Sequence, residues 1–284
     1  AQSARAVALQ QVELGRWAAV LPSDARIGVN DTGAIAYLSR RPIFDVVGLT
    51  TRGEARYWVA GAGSRFEHYE RLGEDRLPSH FIVYPHWMAC PPVLGAELHR
   101  RTVLSQSILG GPTMVAYEAR YDLLESGARP FSQGLWGELL DELDVADLDS
   151  EQLHRYVLGV TNAADNAAVM WPTPDGRVVA VGGRFRRRTD EFLLSLPSGM
   201  EATLVMRVVA PGPLEIYVDG QSMGEAHAAG SSADLPTDPS GSIWTELSID
   251  LPPLPASSAS RRQLVVRPAS SDLYGSFQFW LFRL

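Results

Sequence analysis

Residues 26–49 read RIGVNDTGAIAYLSRRPIFDVVGL, and the first half of the fold turns on this stretch. Arg26 to Val29 is a short run of buried character. Asn30, Asp31 and Thr32 follow it and can cap a helix, because their side-chain oxygens accept the free N–H groups of its first turn. The helix runs from Gly33 to Ser39. Arg40, Arg41 and Pro42 then break the pattern, and Ile43 to Val47 restarts a β-branched run that ends at Gly48. Strand, helix, strand in so few residues is a βαβ unit with a very short crossover, and such units build parallel sheets covered by helices. Asp31 and Asp45 then fall at or near the carboxyl edge of the sheet, where open α/β sheets usually hold their ligands.

Outward from this unit the pattern continues. Ala4 to Leu21 carries Val7, Leu9, Val12, Leu14, Trp17 and Val20 at helical spacing and ends at Pro22. Arg52 to Leu72 predicts a helical stretch interrupted at Gly61 and Gly63. His80 to Tyr84 reads as a third strand, followed by Pro85, His86 and Trp87. Pro92 to Val103 fits a helix, and Met114 to Tyr121 a strand after the Gly110-Gly111-Pro112 turn. The expectation is a three-layer α/β domain with a mainly parallel sheet over residues 1–124.

Residues 125–156 read as an acidic connector. Its Asp147-Leu-Asp149 matches the short Asp-x-Asp of metal-dependent sugar-nucleotide transferases, but Asp149 or Ser150 also stands where a helix over Glu151 to Tyr156 needs its cap. From Val178 the chain changes character. Seven short alternating runs recur between turn residues: 178–181, 192–196, 202–209, 214–218, 243–251, 264–267 and 277–282. Asp219-Gly220 marks a hairpin, and Ala228 to Ser242 is too rich in Gly, Ser, Asp and Pro to be core. Residues 157–284 are therefore expected to form an antiparallel, jelly-roll-like β-sandwich.

Composition excludes several chemistries. All 25 basic residues are Arg, so there is no phosphate-loop lysine, Schiff-base lysine or lysine general base. A net charge of -8 argues against a nucleic-acid partner. The Arg184, Arg186, Arg187, Arg188 cluster runs against that trend and reads as a solvated strand edge rather than an anion site. Gly61-Ala-Gly63 lacks the third glycine of a dinucleotide loop, so no cofactor is expected. The hydrolase elbow Gly-x-Ser-x-Gly is missing. Cys90, the single cysteine, could pair with His86, yet beside Pro91 and Pro92 it reads as packing. His80, His86, Cys90 and His99 match no compact zinc spacing, so no metal is expected. There is no membrane-length apolar run and no signal-peptide pattern.

The candidate binding residues are Asn30, Asp31, Asp45, His86 and Trp87, which the topology brings toward one sheet edge. Carboxylates, an amide, an imidazole and an indole suit a network of sugar hydroxyls. The competing reading is that Asp31 caps its helix and Asp45 pairs with Arg40 or Arg41. In the β-domain Trp244, directly after the polar loop, is the aromatic most open to a stacking role. No catalytic residue is assigned. A hydrolase using Asp31 and Asp45 as its acid/base pair has nothing else in the chain behind it.

Three phrases carry a resemblance. RIGVNDTGAIAYLS followed by RPIFDVVGL, LDELDVADLDSEQLHRY from Leu140 to Tyr156, and the terminal YGSFQFWLF resemble the C-terminal soluble region of bacterial multi-spanning membrane glycosyltransferases of the lipid-linked-sugar (GT-C) type. The resemblance implies a non-catalytic, periplasmic or otherwise extracytoplasmic module at the outer face of the inner membrane. It would position or recognise a glycan, or scaffold a membrane-embedded partner. In that family the transfer chemistry belongs to acidic loops near spanning helices, so no catalytic residue carries over. The alternative is an accessory subunit docked on another membrane complex, without sugar binding.

Overall fold

The computed structural model describes residues 2–104, 108–132, 136–158, 162–173, 175–186, 189–210, 212–229, 243–255, 259, 261–269 and 274–284. Arg187 and Arg188 of the arginine cluster, and 230–242 of the polar loop, lie outside them. The chain divides into two compact units, Ala1–Leu124 and Glu125–Leu284. No described helix is long and apolar enough to cross a membrane.

In the first unit α1 (Gln2–Val7), a π-helical turn (Ala8–Val12) and α2 (Glu13–Ala18) follow one another and lead to β1 (Ile27–Val29). Then come α3 (Gly33–Ser39), β2 (Ile43–Asp45), α4 (Glu54–Ala60), α5 (Ala62–Glu70), β3 (His80–Val83), α6 (Pro85–Met88), β4 (Leu94–Thr102) and β5 (Thr113–Ala119). The sheet order is β2-β1-β3-β5-β4. β1 pairs in parallel with β2 and β3, which is the βαβ unit of the opening stretch. β5 is antiparallel to both β3 and β4. The sheet is thus mixed rather than mainly parallel.

That difference has one source. Of residues 92–103, expected as a helix, only Pro92 and Val93 sit in a short 3-10 turn, and Leu94–Thr102 form strand β4 in a hairpin with β5. Leu94 and Leu98 stand at helical spacing, but β4 is an edge strand whose side chains are mostly solvated, so the alternation that marks a strand is faint.

Both faces of this sheet are covered. Ile27, Val29, Ile82, Tyr84, Met114 and Ala116 pack with Leu14 and Ala18 of α2 and Ile35 of α3. On the opposite face Tyr69 of α5 lies 6.1 Å from Phe44 and 6.3 Å from Phe81, ring centre to ring centre. Gly28 points to that second face, where a Cβ would sit 2.4 Å from the Phe81 ring, so the strand accepts no side chain there.

The second unit is an antiparallel two-sheet sandwich. Its strands are β6 (Leu139–Asp144), β7 (Asn166–Pro172), β8 (Val178–Arg186), β9 (Asp190–Leu194), β10 (Ala202–Ala210), β11 (Leu214–Val218), β12 (Gln221–Glu225), β13 (His227–Ala228), β14 (Ile243–Leu251), β15 (Arg262–Pro268) and β16 (Tyr274–Arg283). A seven-stranded sheet runs β13-β14-β10-β16-β8-β7, with β6 also on β16, and a four-stranded sheet runs β12-β11-β15-β9. Leu204, Met206, Val208, Phe279 and Leu281 from the first meet Phe192, Leu194, Ile216, Leu264 and Val266 from the second. The β11–β12 hairpin turns at Asp219 and Gly220, both at positive φ (49° and 80°), as an Asp-Gly turn requires.

Residues 125–156 are not a connector. β6 pairs with Gln278–Phe282 of β16 and places Leu143 in the core. A short helix, α7 (Leu148–Leu153), follows it. Its N-cap is Asp147, two residues before Asp149 and three before Ser150, the caps expected, and its carboxylate accepts the Asp149 and Ser150 N–H groups. Asp141 of β6 is held down as well: burial pushes its carboxyl up, but hydrogen bonds from His154 and the Ser195 N–H outweigh it and bring it to about 2. Arg184, expected on a solvated edge, is instead buried in a two-point pair with Glu151.

Candidate functional site

The carboxyl edge of β1 and β3 gathers polar and aromatic groups around Tyr84. Asn30 follows β1 directly, and its Oδ1 accepts the Tyr84 N–H at 3.2 Å. That bond ties the ends of neighbouring strands and leaves the Asn30 amide nitrogen buried without a partner, in a side chain only 7% exposed. The Tyr84 hydroxyl donates to Gln10 Oε1 at 2.8 Å, and Gln10 Nε2 donates to the Pro112 carbonyl at 2.9 Å. Gln11 Nε2 donates to Asp31 Oδ2. Burial raises the Tyr84 phenol pKa, and the charge of Asp31 adds to the shift.

α6 carries the aromatic part of the cluster. Its two middle residues, His86 and Trp87, are exposed, with ring centres 6.2 Å and 5.2 Å from Tyr84. The β4–β5 loop passes close against them. A Cβ at Gly110 would lie 2.6 Å from the Trp87 ring, and one at Gly111 2.7 Å from His86 Cε1, so these glycines set how near the loop approaches. From behind, buried Arg65 of α5 donates through Nη2 to the Met88 carbonyl at 2.7 Å and the Trp87 carbonyl at 3.5 Å. Its cation therefore sits at the C-terminal end of the short helix, where the carbonyls point.

Of the residues expected from sequence, Asn30, Asp31, His86 and Trp87 come together here. Asp31 is not a firm cap: the residue before α3 is Thr32, and the Gly33 N–H lies 3.4 Å from Asp31 Oδ1. Asp45 does not join them. It is 1% exposed, and its carboxylate accepts the N–H groups of Val47 (3.0 Å), Gly48 (3.2 Å) and Thr50 (2.7 Å) together with the Thr50 hydroxyl (3.1 Å). All its lone pairs are spent on the turn after β2. Nor does it pair with Arg41, which donates to the Ala19 and Leu21 carbonyls at the end of α2. The acid/base pair of a hydrolase thus lacks its second free carboxylate. Asp45→Ala is expected to destabilise the first unit by about 3 kcal/mol, since it strands three amide donors. Urea unfolding would measure this, and a loss below about 1 kcal/mol would contradict the role assigned.

Trp244 is likewise structural. It is fully buried in the second unit, 5.0 Å from Phe131 and 5.9 Å from Trp171 in stacked arrangements. Cys90 is buried and its thiol is pushed up to about 12 by burial, so it is no thiolate partner for His86. His99 stacks on Trp17, and His80 bonds to the Ser79 hydroxyl.

Sequence reasoning missed Gln10, Gln11, Tyr84 and the fit of Gly110 and Gly111. One signal was present: two adjacent glutamines interrupt the apolar stripe of the first helix. Gln10 and Gln11 are buried, whereas Leu9 and Val20 of that stripe face outward. The π-helical turn Ala8–Val12 spans the glutamines, and such turns often mark functional positions.

A family profile described as a domain of unknown function, DUF8728, matches residues 4–135, which takes in all but the first three residues of this unit and the start of the next. No curated protein matches the chain. Solved structures similar to the chain include the C-terminal CBM6 of LamC, a laminarinase from Zobellia galactanivorans (14% identity, 50% of this chain, 98% of that one, TM-score 0.27). A family 6 carbohydrate-binding module from Clostridium cellulolyticum in complex with xylose is another (13%, 51%, 96%, 0.26). A third is the CBM22-1–GH10 part of xylanase 10B from Clostridium thermocellum (13%, 43%, TM-score 0.28), of which this chain spans only 25%. Likenesses of this size carry neither a ligand nor a site across to this chain.

Proposed function

We propose that this chain is a non-catalytic glycan-recognition module whose site is the Asn30-Asp31-His86-Trp87 edge of the first unit. The observation that carries the reading is the half-exposed Trp87 indole, 42% accessible, standing on Tyr84 beside groups that bind hydroxyls. A large aromatic whose Cη2 and Cζ2 atoms lie against a glycine loop, and which stays exposed, gives a sugar ring a surface to stack on. Asp31 supplies acceptors and Asn30 a donor for its hydroxyls. The setting we propose is the one the sequence resemblance implies: the extracytoplasmic face of a bacterial membrane, beside a membrane-embedded glycosyltransferase-like protein or domain.

Titration of the chain against an array of oligosaccharides tests the reading. Trp87→Ala is expected to weaken binding about tenfold or more while unfolding stays within about 1 kcal/mol of the parent. Absence of binding to every glycan would overturn it and leave a scaffold role.

A further inference from the structure

The charge pattern of this edge narrows its ligand, on the premise that the edge is the glycan site proposed above. Asp31 is the anion of the cluster. Its carboxylate takes the Gln11 amide and lies near the Gly33 N–H, and no cation among the described residues pairs with it. Arg65 is sealed behind α6 with its guanidinium turned to backbone carbonyls and the Trp58 ring, 4.5 Å away. A phosphate or uronate approaching Trp87 would therefore meet an uncompensated carboxylate. A carboxylate without a counter-ion at the same strand-end edge as an exposed indole, both grouped around Tyr84, is the combination that favours a protonated amine, through charge and the ring's π system. The second observation is independent of Asp31. Asn30 is more than nine-tenths buried, and its Nδ2 is an unused donor at the same edge, where one hydrogen bond to a ligand oxygen would remove the cost of leaving it unpaired.

We infer that the site takes a sugar bearing a free, protonated amino group, with the ammonium on Asp31, the ring on Trp87 and a hydroxyl oxygen accepting from Asn30. Calorimetric titration of the whole chain with four oligomers tests this: glucosamine, N-acetylglucosamine, glucose and galacturonate chains of matched length. The glucosamine oligomer is expected to bind at least tenfold more tightly than the other three. Asp31→Asn, which keeps an oxygen for Gln11, is expected to abolish the preference without loss of fold. Equal affinity for glucose and glucosamine oligomers would overturn the amine assignment and leave glycan recognition standing. Binding of none of the four by a folded protein would count against both. Glucosamine binding that survives Asp31→Asn unchanged would be attraction to the net charge of -8 and would also overturn the assignment.

Discussion

Glu246→Ala is expected to cost the second unit about 3 to 5 kcal/mol, because it leaves a guanidinium buried without its anion. Arg207 and Glu246 are both 0% exposed, on neighbouring strands β10 and β14. The guanidinium donates to Glu246 Oε1 (3.1 Å and 2.8 Å), to Gln278 Oε1 (2.7 Å) and to the Gly127 (2.5 Å) and Arg129 (2.8 Å) carbonyls. Phe131, Trp244 and Trp280 surround it at 4.8 to 5.6 Å, so no water takes over the lost contacts. Glu246 also accepts the Phe131 and Ser132 N–H groups, and these would be stranded too. Removing both charges is a different perturbation. Arg207→Met with Glu246→Leu is expected to recover much of the loss, since a buried ion pair and an apolar pair of similar volume are often close in stability. Guanidinium unfolding of the single and double variants measures both. A single-variant loss below about 1 kcal/mol would show that the pair is solvated and not buried.

What was legible in the sequence was local. The βαβ unit of Arg26–Leu49, the Asp219-Gly220 hairpin and seven of the nine described strands from Val178 onward rest on short local patterns, where spacing and turn chemistry act alone, whereas the short strands β12 and β13 were not read. β4 was misread because an edge strand answers to one neighbour and to solvent, which leaves its pattern weak. β6 was misread because Leu139–Asp144 is acidic, and its place in the sheet depends on β16, more than 130 residues away. The site divides the same way. Asn30 and Asp31 follow from their position after β1, and His86 and Trp87 from theirs after β3. Asp45 shares that position, yet the turn it closes consumes it. Gln10 and Gln11 act through Tyr84 and Asp31, contacts that no local pattern encodes.

A fragment of residues 157–284, which a sequence-based boundary would select, is expected to fail to fold, whereas 125–284 is expected to unfold cooperatively. The outer face of the seven-stranded sheet is not solvated as in an ordinary sandwich. Every residue of β10 from Ala202 to Ala210 is buried, so alternate side chains are covered on both faces. Among the described residues, the cover for the outer face comes from 125–132 and 136–138. Ser126 Oγ accepts the Ala180 N–H, and the Ala128 carbonyl accepts the Trp280 indole N–H. Phe131 stacks on Trp244, and Trp136 on Phe282 at 5.6 Å. The shorter fragment would expose Trp280 and Phe282, strip two carbonyls and two amide donors from the Arg207–Glu246 pair, and delete β6, leaving the second half of β16 paired on one side only, with β10. An uncovered aromatic face and an open central strand favour aggregation over a defined fold. Circular dichroism melting and dispersed amide resonances would separate the two fragments. A soluble 157–284 fragment with a sharp transition would show that the covering segment rests on a sandwich already complete without it.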